Sequence, residues 1–220
     1  MNYKRITILC GHYGSGKTNI ALNMAYELKE KHDNVAIADL DIVNPYFRTT
    51  DSAEELKQKG IKLIASKYAG SNVDIPALPQ DMYSITDDKT VHAVIDVGGD
   101  DRGALALGRI MPQIENENDY EALLVINKYR PLTPDVTSTI EVMAEIETAG
   151  KFKFTGIVNN SNLGVETTAE DVLSSQNYAD GVAKATGLPL VATSVSDKLF
   201  DELSGKIDNL IALKLQKKIN

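Results

Sequence analysis

Gly11-His12-Tyr13-Gly14-Ser15-Gly16-Lys17-Thr18 is the stretch on which the reading of this chain turns. It fits the pattern G-x-x-x-x-G-K-[ST] at every fixed position. Glycines let the backbone curl until successive N–H groups converge on phosphate oxygens. A helix starting at Lys17 would add the partial positive charge of its N-terminus. Lys17 would reach the β- and γ-phosphates and is a catalytic candidate; Thr18 would offer its hydroxyl to Mg²⁺. The binding candidates run from Gly11 through His12, Tyr13, Gly14, Ser15, Gly16, Lys17 and Thr18 to Asn19.

The flanks suit such a loop. Ile6–Cys10 before it is a continuous apolar run, and Ile20, Met24 and Leu28 after it recur at helical spacing. Further strand-length runs follow at Val35–Leu40, Ile61–Ala65, Ala93–Val97, Ala122–Ile126, Phe154–Val158 and Leu188–Thr193. Continuous apolar runs suit a parallel sheet covered on both faces. Helical patterns alternate with them. One spans Val136, Ile140, Met143 and Ile146, opened by Thr133-Pro134 and closed by Gly150; a last stripe holds Leu199, Leu203, Ile207 and Ile211. The expectation is an α/β fold, a doubly wound, mostly parallel sheet of about seven strands with helices on both faces. Residues 1–220 read as one nucleotide-binding domain. Two stretches break the rhythm: 66–90, with Pro76 and Pro79, and the polar 159–177, where Thr167 and Glu170 have capping-box spacing.

Composition narrows the function. A net charge of −8 disfavours nucleic acid and anionic membranes as partners. The lone Cys10 excludes an internal disulfide and a cysteine-rich metal framework within one chain, and reads as a small core residue. No run approaches the ~18 residues of a membrane span, and the apolar stretch after Arg5 is too short for a signal peptide's core. A cytoplasmic location is expected.

A magnesium–nucleotide site needs carboxylates where strands end beside the loop. Asp39 and Asp41 end the second run with i, i+2 spacing. Asp96 ends the fourth and is followed by Val97-Gly98-Gly99. Asp96 would hold a magnesium-bound water, the Gly99 N–H could sense a γ-phosphate, and Asp39 or Asp41 could position water or touch the metal. For the base, Asn127-Lys128-Tyr129-Arg130 begins like the guanine signature N-K-x-D but ends in arginine, so the carboxylate that would pair with guanine is missing. Asn159 and Asn160 offer carboxamides that both donate and accept, as the adenine edge requires. ATP is the expected nucleotide.

With these segments in this order, the chain resembles the ParA/MinD/nitrogenase-iron-protein branch of P-loop NTPases, the SIMIBI class with CobQ/CobB/MinD/ParA-type domains, in its bacterial ATP-binding-protein group. The resemblance rests on Gly11–Thr18, Asp39-Leu40-Asp41, Asp96-Val97-Gly98-Gly99 and Gly156-Ile157-Val158-Asn159-Asn160-Ser161. It implies an ATP-dependent switch that dimerises around nucleotide and hydrolyses it slowly or on a protein partner's cue. Asp41 would then be the catalytic aspartate and a magnesium neighbour with Thr18 and Asp96, and Asn160 the base contact. The chain departs from the pattern at His12, where relatives of the deviant type carry a lysine that reaches across a dimer. His12 should be mostly neutral; Arg48 or Arg102 could supply a cation instead.

A second function stays open: a small-molecule kinase or ATP-dependent ligase of the dethiobiotin synthetase type. Residues 66–90 or 98–103 would then form its substrate pocket, with Lys67, Tyr68, Asp74 and Arg102 as contacts. A third is a regulatory module that binds ATP without appreciable turnover. The lysines of the last segment, Lys214, Lys217 and Lys218, read as the end of a packed helix, not a membrane anchor.

Overall fold

The computed structural model describes residues 3–40, 49–65, 80–99 and 101–215, with the backbone alone at 50, 51, 80, 101 and 102. Strands and helices alternate in chain order. The first half runs β1 (Ile6–Cys10), α1 (Lys17–Lys29), β2 (Val35–Leu40), α2 (Ala53–Gln58), β3 (Lys62–Ala65), α3 (Tyr83–Asp87), β4 (His92–Val97), α4 (Asp101–Leu107) and α5 (Met111–Glu117). The second half runs β5 (Tyr120–Ile126), α6 (Val136–Gly150), β6 (Gly156–Asn159), α7 (Ala169–Thr186), β7 (Leu190–Ser196), α8 (Asp197–Leu203) and β8 (Leu210–Leu213). All eight strands form one sheet in the order β3-β2-β4-β1-β5-β6-β7-β8. Every pairing between neighbours is parallel.

The central strand explains the layering. Ile6, Ile8 and Cys10 point to one face, where they join residues of α3 to α7, including Ile85, Leu107, Ile114, Ile146 and Tyr178. Leu9 points to the other, among Ile20, Met24 and Leu28 of α1 and Leu56 of α2. That is the two-residue alternation of a strand with helices on both sides, so each of these side chains is fully or nearly fully buried. From β1 the chain first builds outward through β2 and later through β5 to β8 on the other side. The carboxyl end of β1 is therefore the switch point where sheets of this kind leave a crevice.

The ends of the chain depart from expectation. Among the described residues the sheet has eight strands, against about seven expected. The stripe Leu199, Leu203, Ile207 and Ile211 is not one helix. α8 stops at Leu203, Gly205 takes a left-handed φ of 78°, and Asn209 another of 54° before β8 begins. A four-residue apolar run at Leu210–Leu213 fits helix or strand by periodicity alone; pairing with β7 decides it. Lys214 therefore follows a strand and not a helix, and Lys217 and Lys218 lie outside the described residues.

Local boundaries move by a few residues. The capping box that opens α7 is Thr168 with Asp171, not Thr167 with Glu170. Thr167 instead takes Leu163 N–H and gives its own proton to Gly164 O, closing the preceding loop. α6 is capped by Asp135, whose carboxylate accepts from Ser138 N at 2.9 Å. It ends through Lys151 in the left-handed region, one residue past Gly150. β7 runs later than expected, to Ser196. Of the irregular 66–90 stretch, the described part holds α3 and one 3-10 turn. Among the described residues no helix is long and apolar enough to cross a membrane.

Candidate functional site

The loop between β1 and α1 lies at the switch point. Gly16 has φ 92°, a value that favours glycine, and a Cβ there would run into the Asn160 carboxamide. Asn160 Nδ2 donates to Ser15 O at 2.6 Å, and its Oδ1 accepts from Ser194 Oγ at 2.7 Å. One buried carboxamide thus ties the loop to the ends of β6 and β7. The Ser15 hydroxyl is buried and has no partner among the described residues. Lys17, 5% exposed, sends Nζ back along the loop to Gly11 O at 2.8 Å and His12 O at 3.1 Å. Its ammonium therefore sits within the curl of backbone that the motif creates.

Thr18 and Asp96 meet although 78 residues separate them: Thr18 Oγ1 donates to Asp96 Oδ2 at 2.8 Å. Thr49 Oγ1 donates to the same oxygen at 3.1 Å. Both hydroxyls and the carboxylate are buried. Asp39 stands beside Asp96 in the register of β2 and β4 and is buried as well. A hydroxyl and a carboxylate at hydrogen-bond distance, next to a cradle of backbone, form an oxygen donor set that fits Mg²⁺. Asp41 lies outside the described residues, as do Arg48, Lys67, Tyr68 and Asp74; at Arg102 only the backbone is described.

Gly99 is brought to the loop. A Cβ on it would stand 2.8 Å from Tyr13 Cα and 2.9 Å from His12 C. Only a glycine lets the segment after Asp96 lie so close to the loop backbone. His12 donates from Nδ1 to Tyr13 O at 3.0 Å. Burial pushes its pKa below the ordinary histidine range, and the Lys17 charge pushes the same way, so the ring is neutral near pH 7. The permanent cation that the related pattern carries here has no counterpart in His12. Burial also pushes the Cys10 thiol well above its ordinary value, which fits an inert core position.

A cleft of about 850 Å³ opens from the loop toward the ends of β6 and β7. That is the size range of ligand sites, about 300–1,000 Å³. Tyr13, Gly14, Gly16, Lys17, Thr18, Asn19 and Asn160 all line it, with Arg130, residues 161–165, residues 194–196, Leu213 and Leu215. Of the described binding candidates, these seven line the cleft, and Gly11, His12, Ser15 and Gly99 do not.

Asn159 and Asn127, the other asparagines weighed for the base, do not line it. Asn159 is fully buried, donates to Ser175 Oγ and accepts from the Ser161 amide and hydroxyl. Asn127 is equally buried: its Oδ1 accepts from Tyr129 N and Asn162 N, and Nδ2 donates to Asn162 O. The guanine-like Asn127-Lys128 pair thus braces two loops against each other, with the Lys128 amide bonded to Ser161 Oγ. Two residues went unmarked as contributors. Thr49 carries no motif and reaches Asp96 only through folding. Arg130 registered as a missing carboxylate; in the structure its Nε donates to Gly14 O at 2.7 Å.

No protein-family model matches the chain, and no curated protein does. Several solved structures are similar to it. Cell division protein FtsY of Thermotoga maritima shares 19% identity at a TM-score of 0.60, over 87% of this chain and 62% of that one. Signal recognition particle receptor FtsY of Elizabethkingia anophelis, in complex with GDP, shares 16% at 0.54, over 91% and 60%. The signal recognition particle 54 kDa protein of Aeropyrum pernix, also in complex with GDP, shares 16% at 0.52, over 87% and 41%. Identities this low show a common fold alone: the α/β sheet of P-loop NTPases. The chain spans 41 to 62% of the length of these three proteins.

Proposed function

We propose that this chain binds Mg·ATP in the cleft at the end of β1 and hydrolyses it slowly, as a nucleotide-dependent switch acting on a protein partner. The observation that carries the reading is the convergence of Lys17, Thr18 and Asp96. A cation held in a ring of backbone and a hydroxyl–carboxylate pair at 2.8 Å lie side by side at the switch point. Thr18 and Asp96 would hold Mg²⁺, which when bound neutralises phosphate charge. Lys17 would exchange its two loop carbonyls for phosphate oxygens, a charge-assisted replacement. Asp41 would orient the attacking water. Gly99, seated on the backbone of His12 and Tyr13, would carry a change at the γ-phosphate into α4.

Adenine is favoured because the described lining of the cleft contains no carboxylate, the group guanine recognition needs. Guanine is the second reading, because two of the similar structures are complexes with GDP. Membership of the ParA/MinD branch, a nucleotide-dependent homodimer and a cytoplasmic location are part of the same proposal, as is a single domain over residues 1–220. Phosphate release measured with ATP and with GTP, alone and with candidate small metabolites, tests the function. Slow ATP hydrolysis that metabolites do not accelerate is expected, and Asp41→Ala should keep binding while losing at least about tenfold in turnover. Metabolite-dependent ADP production would instead favour the kinase or ligase, and an unchanged rate in Asp41→Ala would remove that residue from the mechanism.

A further inference from the structure

The phosphate-binding loop is held through its carbonyl groups. All six from Gly11 to Gly16 accept a hydrogen bond. Gly11 O and His12 O take Lys17 Nζ, Tyr13 O takes His12 Nδ1, and Gly16 O takes Ile20 N in the first turn of α1. Those four are held from within the loop and its helix. Gly14 O and Ser15 O are held from elsewhere in the sheet, by Arg130 Nε after β5 and by Asn160 Nδ2 after β6. The two donors differ in their surroundings. Arg130 is partly exposed, whereas Asn160 is buried and fixed on every side. Its Oδ1 accepts from Ser194 Oγ of β7 at 2.7 Å, and its backbone N–H goes to Ile126 O at the end of β5 at 2.9 Å. A Cβ on Gly16 would collide with Nδ2, so the carboxamide occupies the space that this glycine leaves.

We propose that Asn160 is a positioning residue of the phosphate-binding loop: by holding Ser15 O from the end of β6, it keeps the loop in the shape that takes phosphate. The inference rests on the nucleotide reading of the cleft, and it gives Asn160 an effect there that does not depend on the base. A peptide unit is planar and trans, so fixing Ser15 O also fixes the opposite-pointing Gly16 N–H, a donor of the kind the motif directs at phosphate. Lys17 cannot keep this shape once a ligand binds, because the same ammonium that holds Gly11 O and His12 O is the one that turns to phosphate. The bond from Asn160 involves no group the phosphate needs, and so it persists. Donors already in place spare the ligand the cost of ordering them. Asn160 carries no charge, so its influence on phosphate runs through the geometry of the loop.

Calorimetric titration of the full chain with Mg²⁺ and, in turn, ATP, GTP and inorganic tripolyphosphate tests this. Wild type and Asn160→Ala are compared at a temperature where circular dichroism shows both folded. Asn160→Ala is expected to weaken tripolyphosphate binding about fivefold or more, and ATP and GTP at least as much. Tripolyphosphate has no base, so that loss cannot come from base recognition. Nor can it come from lowered stability alone, since a folded variant with an intact loop would keep its affinity. Tripolyphosphate affinity within about twofold of wild type overturns the proposal; if ATP binding falls in that case, Asn160 is a base contact instead. Should Asn160→Ala fail to fold, Ser194→Ala takes its place, because it leaves the loop untouched and removes the donor that fixes Oδ1. It is expected to weaken all three ligands about twofold or more, and unchanged tripolyphosphate binding there overturns the proposal equally. Wild type that binds all three, with these variants indifferent, removes this inference and leaves the site standing. If wild type binds none of them, the site reading falls and takes this one with it.

Discussion

At the proposed phosphate end of the cleft, the described groups hold one another. Lys17 is bonded to Gly11 and His12, Thr18 and Thr49 to Asp96, and Gly99 sits against the loop backbone. The proposed base end is looser at its rim, where Leu163 is 44% and Val165 96% exposed, and Leu215 of the last described segment is half open. A phosphate is the same in every nucleotide, so its site gains from being preorganised. A base has an apolar face and a distinctive edge, and the end of the cleft proposed for it is assembled from three chain segments that meet only in the fold. At the proposed phosphate end the loop itself is contiguous and legible, while Thr49 and Asp96 come to it through the fold; the proposed base end is composite throughout.

Three changes press on that contrast. The largest effect is expected at the rigid end. Lys17→Ala should weaken Mg·ATP binding about a hundredfold or more, because it removes charge-assisted bonds to phosphate in a buried site. Retained tight binding would mean that the loop is not the anchor. Next comes the side chain that links the two ends. Asn160→Ala removes the donor to Ser15 O and the acceptor for Ser194 Oγ. It should lower stability by about 1–3 kcal/mol in urea unfolding, since buried partners are left unpaired. No change would show that the two ends are independent. The smallest effect concerns His12, whose folded pKa lies below its ordinary value. Protonation is disfavoured in the folded chain, so the stability this group confers is full above about pH 7 and lost as pH falls through the lowered pKa. Thermal melts of wild type and His12→Ala should therefore differ by a constant amount at about pH 7–8, with wild type losing ground below about pH 6. A pH-independent difference would show that the ring titrates no differently on folding.

Much of the fold could be read in advance because its elements announce themselves locally. β1 is a continuous apolar run, α1 a four-residue repeat, and the loop between them a fixed pattern of glycines, lysine and threonine. Asp96 was visible as the carboxylate closing an apolar strand, and Asn160 through its place in a short motif. What stayed hidden depends on contacts across the chain. Thr49 looks like any polar residue until β2 and β4 bring it to Asp96. β8 is too short for periodicity to distinguish strand from helix, and only its pairing with β7 shows it. The duplicated Thr167-Thr168 and Glu170-Asp171 allow two capping boxes one residue apart, and the closing of the Leu163–Thr167 loop selects the second. Arg130 was hidden differently. Comparison with a pattern recorded what the position lacked, a carboxylate, and not what its guanidinium could reach.

The function proposed for this cleft depends on where a nucleotide sits. A crystal structure with Mg²⁺ and a non-hydrolysable ATP analogue tests this most directly. Lys17 Nζ is expected to leave Gly11 O, now 2.8 Å away, for phosphate oxygens, with Thr18 Oγ1 and Asp96 beside one magnesium ion. A nucleotide bound elsewhere, with the Lys17–Gly11 and Thr18–Asp96 bonds unchanged, would contradict it.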